Sequence, residues 1–127
     1  MGDRLVKLDD SGDIIGKKYD EGKLEYSLIP VQSTREIVKV LMFGKNKYGK
    51  ENWKLVDNPI ERYMNALERH IYATKEALES KQYRKLYDSE TGILHMAHAG
   101  CCVLFIIWFI LNKKSEVKKS YGRNTNI

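Results

Sequence analysis

The spacing of hydrophobic and polar positions changes character along this chain. Residues 1–30 show no helical period. The apolar runs Leu5-Val6 with Leu8, and Ile14-Ile15, flank the turn signal Asp10-Ser11-Gly12 and predict a short β-hairpin. A second turn signal stands at Asp20-Glu21-Gly22. Leu24, Tyr26 and Leu28 then alternate up to Pro30. That alternation predicts an extended stretch pinned to a neighbour, because a hairpin alone is marginal. Helical spacing begins with Ile37, Val40, Leu41 and Phe43. The capping box Ser33-Thr34-Arg35-Glu36 marks the expected start of this first helix, and Gly49 its stop. A second helix is expected from Asn58 as cap, with Pro59 in the first turn and Glu61 closing a box, running to about Ser80. Its apolar stripe is Ile60, Met64, Leu67, Ile71, Thr74 and Leu78, opposite Arg62, Asn65, Arg69, Glu76 and Glu79.

After the loop Asp88-Ser89-Glu90-Thr91-Gly92, a third helix is expected to begin near Ile93. Residues 99–111 are all apolar or glycine. The run is shorter than the roughly 20 apolar residues of a membrane span, and His95 and His98 interrupt it upstream. A core helix is the expected reading. A helix apolar on every side must be buried on every side, and two partner helices cannot surround it. The expected fold is therefore mainly α, with about three long helices and a short N-terminal β-hairpin, oligomeric through the apolar C-terminal helix. The expected organisation is an N-terminal segment at 1–30, a helical core at 31–111 and a basic tail at 112–127.

The length of 127 residues suits one domain with a modest core. The net charge of +5 resides mostly in the tail: residues 112–127 carry +4 and the remainder +1. This balance is weak support for a nucleic-acid surface, and no DNA or RNA partner is expected. Cys101 and Cys102 are adjacent and point apart on a helix, so they read as small apolar residues in a reducing compartment. The charged N-terminus does not read as a secretory signal, and no membrane partner is expected.

Candidate chemistry is sparse. No Walker-type loop, no G-x-G-x-x-G and no Ser/His/Asp or Cys/His set is present. His95 and His98 share a helix face and, with Asp88 or Glu36 nearby in space, could hold a metal, but His-x-x-His alone is a weak signal and no metal ligand is assigned. Glu76-Ala77-Leu78-Glu79 is an E-x-x-E without a second carboxylate pair, and it reads as a solvated, ion-paired face. The more informative set is cationic and aromatic. Arg62 and Arg69 lie seven residues apart on one side of a helix, and guanidinium forks suit phosphate oxygens. Lys18, Lys23 and Lys47 could complete an anion pocket. Tyr19, Tyr26, Tyr48, Trp53 and Tyr87 could supply a stacking face, and Asn52 an amide.

Four segments together resemble a known family. They are Lys18-Tyr19-Asp20-Glu21-Gly22-Lys23-Leu24-Glu25-Tyr26-Ser27-Leu28-Ile29-Pro30; Phe43-Gly44-Lys45-Asn46-Lys47-Tyr48-Gly49-Lys50-Glu51-Asn52-Trp53; Arg62-Tyr63-Met64-Asn65-Ala66-Leu67-Glu68-Arg69-His70; and Asp88-Ser89-Glu90-Thr91-Gly92-Ile93-Leu94-His95-Met96-Ala97-His98-Ala99. They resemble the phage dATP/dGTP diphosphohydrolase, N-terminal family over roughly residues 18–111. The resemblance extends to the small phage Thoeris anti-defence proteins, which capture a cyclic ADP-ribose signal without cleaving it. It implies one of two functions. One is sequestration of a cyclic ADP-ribose-type nucleotide in the host cytoplasm, without a cofactor. The other is metal-dependent hydrolysis of purine dNTPs with Mg²⁺ or Mn²⁺. The all-α pyrophosphatases pair E-x-x-E with E-x-x-D, which this chain lacks, so sequestration is the expected reading. The expected nucleotide-binding residues are Lys18, Tyr19, Lys23, Lys47, Asn52, Trp53, Arg62, Arg69, His70, Asp88 and His95, in a homodimer or higher homo-oligomer.

Overall fold

The computed structural model describes residues 7–112; the basic tail beyond Asn112 lies outside them. The chain forms a two-stranded antiparallel hairpin, β1 (Lys7–Leu8) and β2 (Ile14–Ile15), and then three helices, α1 (Val31–Tyr48), α2 (Pro59–Glu79) and α3 (His95–Asn112). The hairpin pairs Lys7 with Ile15 and Leu8 with Ile14. Its turn is closed by the Asp9 carboxylate, which accepts the N–H groups of Ser11 and Asp13. The hairpin and the mainly helical fold are as expected. The anchoring of the N-terminal segment is not: every residue from 8 to 35 is exposed. The alternation of Leu24, Tyr26 and Leu28 is not a strand either. Tyr26–Leu28 forms a 3₁₀ turn, with the Leu28 and Ile29 N–H groups donating to the carbonyls of Glu25 and Tyr26. With no third strand to pair with, the backbone satisfies itself locally.

Both expected capping boxes are replaced. α1 starts two residues before Ser33, because the Pro30 carbonyl takes both the N–H and the hydroxyl of Thr34. Glu36 turns instead to Lys39 at 2.7 Å. Asn58 does sit at the cap of α2, but in the left-handed region at φ 45° and without a side-chain cap bond. Glu61 still places negative charge in the first turn, where the helix dipole favours it. Gly49 ends α1 at φ 100°, as expected.

α3 is the central element. It packs along α2 and, over a shorter stretch, along α1, while α1 and α2 hardly touch each other. The core is accordingly made on α3: Val40 of α1 meets Ala97 and Cys101, with Ile37, Leu41, Ile93, Leu94 and Phe105 around them. Ala77, Ala99 and Phe109 are almost fully buried. Four residues of the expected α2 stripe, Ile60, Leu67, Ile71 and Thr74, are half-buried, but the inward face is wider on one side. Met64 and Leu78 are exposed, and Tyr63, His70 and Ala77, seven residues apart in turn, face inward. Small residues on α3 explain the close approach. A side chain at Gly100 would lie 2.7 Å from the Ile37 Cδ1 of α1. Burial also holds the Cys101 thiol up at about 12, as expected of a small apolar residue.

An aromatic cluster locks the segment between α1 and α2 onto α3. Trp53 stacks on Phe105 with ring centres 4.2 Å apart and meets Trp108 and Phe109 edge-on. Tyr63 packs against Phe105 and Phe109 and donates its hydroxyl to the Trp53 carbonyl at 3.1 Å. Each aromatic pair contributes about 0.5–1.5 kcal/mol beyond the area it buries. The far side of α3 is not covered: Met96, Val103, Leu104, Ile107 and Leu111 are exposed. α3 is also long and apolar enough, by composition, to cross a membrane.

Two substitutions test this packing. Gly100→Leu should separate α1 from α3 and lower the unfolding free energy by about 1–3 kcal/mol. Gly100→Ala should be nearly neutral, since the Ile37 Cδ1 can move and alanine gains about 1 kcal/mol of helix propensity. Trp53→Ala should lower stability by about 3 kcal/mol. Denaturant titrations would read both, and a Trp53→Ala protein as stable as wild type would remove the aromatic lock.

Candidate functional site

Because α1 and α2 lean on α3 without packing on each other, a gap remains between them. It is a cavity of about 640 Å³, within the usual range of roughly 300–1,000 Å³ for small-molecule sites. α1 contributes Phe43, Gly44, Lys47 and Tyr48. The connection to α2 contributes Asn52 and Trp53, α2 contributes Arg62, Tyr63 and His70, and the loop before α3 contributes Asp88, Glu90 and Thr91. His98, Cys101 and Phe105 of α3 also line it.

Six of the residues expected from sequence therefore meet in one cavity: Lys47, Asn52, Trp53, Arg62, His70 and Asp88. His95 joins them through His70, whose Nδ1 lies 2.9 Å from the His95 Nδ1. Lys18, Tyr19 and Lys23 stay on the exposed N-terminal segment and do not line the cavity. Arg69 lines a separate groove with Asn65, Glu68 and Tyr72, so the two arginines of α2 serve different surfaces. Trp53 has one indole face against Phe105, which leaves it less ring to offer a ligand than Tyr48, 60% exposed at the end of α1.

Two of the four cations that line the cavity, Lys47 and Arg62, are held by carboxylates. Lys47 donates to Glu90, which ties the end of α1 to the loop before α3, and that bond raises the Lys47 pKa. Arg62 donates to Asp57 at 2.6 Å. Exposed pairs of this kind contribute little to stability. They keep the cationic heads at the cavity mouth, available to a stronger anion.

The inner end of the cavity is a connected polar cluster. Asp88 Oδ1 accepts the N–H groups of Glu90 and Thr91. The Asp88 N–H donates to the Ile93 carbonyl, and the Gly92 N–H to the Asp88 carbonyl. Gly92 adopts φ 72°, which lets the loop turn this tightly. Ile93 is consumed by this closure, which is why α3 starts at His95 and not at Ile93. Thr91 Oγ1 accepts the Ile93 N–H and lies 2.7 Å from His98 Nε2. His98 stacks on His70 with ring centres 4.8 Å apart.

The electrostatics follow from this geometry. Burial, then the neighbouring His98 and His95, pull the His70 pKa down to about 4, so this ring is neutral at pH 7. His98 is lowered as well, chiefly by burial. Burial pushes the Asp88 carboxyl up. The Thr91 and Glu90 N–H groups and the two histidines outweigh it and hold the carboxyl below its usual range. Burial lifts the Tyr63 hydroxyl to about 12, so it remains a donor. The cluster thus offers an ionised carboxylate beside neutral imidazoles.

Glu76 and Glu79 are exposed, as expected, but no ion pair engages them among the described residues. They line a more open groove on the other side of the cluster, together with Asp88 and His95. Sequence reasoning left Thr91, Tyr63 and His98 out of the site. The i, i+3 spacing of His95 and His98 was the available signal for the last of them; nothing local marks Thr91 or Tyr63.

No solved structure matches this chain. A protein named dATP/dGTP diphosphohydrolase, from Salmonella phage PMBT28, is 37% identical over 101 residues. The match covers 80% of this chain and 32% of that protein, so the chain spans about a third of the relative's length. Residues 14–119 match the family described as dATP/dGTP diphosphohydrolase, N-terminal. With most of its length in that match, the chain belongs to the dATP/dGTP diphosphohydrolase, N-terminal family.

Proposed function

We propose that the cavity between α1 and α2 binds a purine deoxynucleoside triphosphate and serves its hydrolysis to the monophosphate and diphosphate. The observation that carries this reading is the meeting of Lys47, Arg62, Asn52 and Tyr48 in one cavity whose inner end is the His70, Asp88 and His98 cluster. Lys47 and Arg62 exchange their carboxylate partners for phosphate oxygens, to which charge-assisted bonds are strong. The exposed Tyr48 ring stacks on the base, and Asn52 bonds its edge or the sugar. Water adds to the α-phosphorus, the bond to the α–β bridging oxygen breaks, and diphosphate leaves. The neutral imidazole of His98, which lines the cavity, is the group suited to accept the proton of that water. The name of the phage relative supports the substrate class. Turnover by this chain, a third of that protein's length, is part of the proposal.

A second reading is sequestration without cleavage of a cyclic ADP-ribose-type nucleotide in the host cytoplasm. One observation favours it: Glu76 and Glu79 lie in the neighbouring groove and not beside the cavity cations. Binding is then better supplied than the transition-state stabilisation a hydrolase needs. Under either reading the exposed face of α3 is the surface for self-association into a homo-oligomer, since a row of five large apolar residues otherwise meets water.

Incubating the protein with dATP or dGTP and Mn²⁺, and separately with cyclic ADP-ribose isomers, then heat-denaturing and chromatographing each mixture, separates the readings. Deoxynucleoside monophosphate and diphosphate beyond one equivalent per chain are expected. Intact cyclic nucleotide, released only on denaturation, would establish sequestration instead. Arg62→Ala should weaken nucleotide binding about tenfold or more, while its exposed ion pair predicts a stability change under about 1 kcal/mol. Tyr48→Ala should weaken binding with folding intact. If calorimetry shows neither variant changed, the nucleotide does not occupy this cavity.

A further inference from the structure

The densest cluster of ligating atoms in the described residues is one to which sequence reasoning assigned no metal. His70, Asp88 and His95 come from three places: the middle of α2, the loop before α3 and the first residue of α3. One ligand atom from each lies within 4.8 Å of the others, and all three residues are half-buried. We propose that these three residues bind a divalent transition-metal ion, with coordination positions left open towards the cavity.

Three features support a coordination site over a chance meeting of polar groups. The first is spacing. His70 and His95 direct Nδ1 at Nδ1, 2.9 Å apart. Two nitrogens bound to one ion at about 2.0–2.1 Å, at 90–110°, stand about 2.8–3.4 Å apart. A shift of at most a few tenths of an ångström would convert the hydrogen-bonded pair into a ligand pair. The second feature is the carboxylate. Both loop N–H groups bond Asp88 Oδ1, which leaves Oδ2 for a further partner while the side chain is already oriented. The third is outer support. His98 stacks flat on His70, and Thr91, whose own N–H holds Asp88, lies within bonding distance of His98. Groups that orient ligands in this way are a regular part of metal sites.

The donor set selects the ion. Two imidazole nitrogens with one carboxylate suit Zn²⁺, Mn²⁺, Fe²⁺ or Co²⁺, whereas Mg²⁺ and Ca²⁺ prefer oxygen ligands. His70 and Asp88 line the cavity that holds Lys47 and Arg62, and Asp88 and His95 line the adjoining groove. An ion there is reachable from the side on which the proposed phosphates enter. The inference goes beyond the nucleotide reading and does not need it, because the ion requires only these side chains.

The test uses full-length, untagged protein stripped with a chelator and titrated with Co²⁺ alone, without nucleotide. A visible d–d absorption band saturating at one equivalent per chain, and displaced by Zn²⁺, is expected. Asp88→Asn and His95→Gln keep hydrogen-bonding capacity and should weaken Co²⁺ binding about tenfold or more. His98→Gln, which alters a stacking neighbour and no ligand, should retain a saturable band. No band in the wild-type protein would overturn the proposal, as would unchanged affinity in both ligand variants. Should those variants fail to fold, the wild-type protein decides: Zn²⁺ raising its thermal midpoint in step with Co²⁺ displacement supports the site, and no shift refutes it. Failure of nucleotide binding in the separate incubations would leave the cobalt spectrum untouched.

Discussion

Everything in this molecule depends on α3 being shared. α1 and α2 each pack against it and scarcely against each other, so the helices enclose a cavity instead of a continuous core. Small residues make the sharing possible. Ala97, Ala99, Gly100 and Cys101 let two helices approach one, and larger aromatic groups near the end of α3 hold the connecting segment at Trp53. The same arrangement leaves one side of α3 apolar and exposed.

The polar cluster at the inner end of the cavity is stable because its members satisfy one another. Three imidazoles near one another would repel if all were charged. Burial keeps His70 neutral, which removes that repulsion and leaves its ring nitrogens free for hydrogen bonds. The Asp88 carboxylate is oriented by backbone N–H groups of its own loop, both of which bond Oδ1. The result is a hydrogen-bonded inner wall. The cavity mouth is different: Lys47 and Arg62 are on long exposed side chains whose carboxylate partners contribute little to the fold and can be exchanged.

Much of this was legible locally. Periodicity located three helices and a hairpin, and Gly49 marked the end of α1 because a left-handed backbone favours glycine. Lys47, Asn52 and Trp53 cluster in sequence, so their meeting needed little folding. Local signals failed where a competing local backbone bond, a missing strand partner or a tertiary contact decided the outcome. The Pro30 carbonyl closed the first turn of α1 ahead of the Ser33 box. The alternation around Tyr26 found no strand to pair with. The α2 stripe was incomplete because His70 and Tyr63, polar by type, are half-buried by the partners they find on α3 and at Trp53.

The chain by itself determined which segments are helical, since that follows from spacing every three or four residues and from capping or stopping groups close by. It also determined which residue types were at hand: cations, an amide, aromatic rings and three histidines. Only the tertiary structure decided which of them meet. His70, Asp88 and His95 are separated by 18 and 7 positions and carry no shared local pattern. They converge because α2 and α3 pack side by side and the Asp88 loop closes on Ile93. Arg62 and Arg69, alike in sequence, were parted because one opens onto the cavity and the other onto the outer groove. The physical reason is that helix formation is settled by neighbours along the chain, whereas a site is settled by which helix faces are buried together.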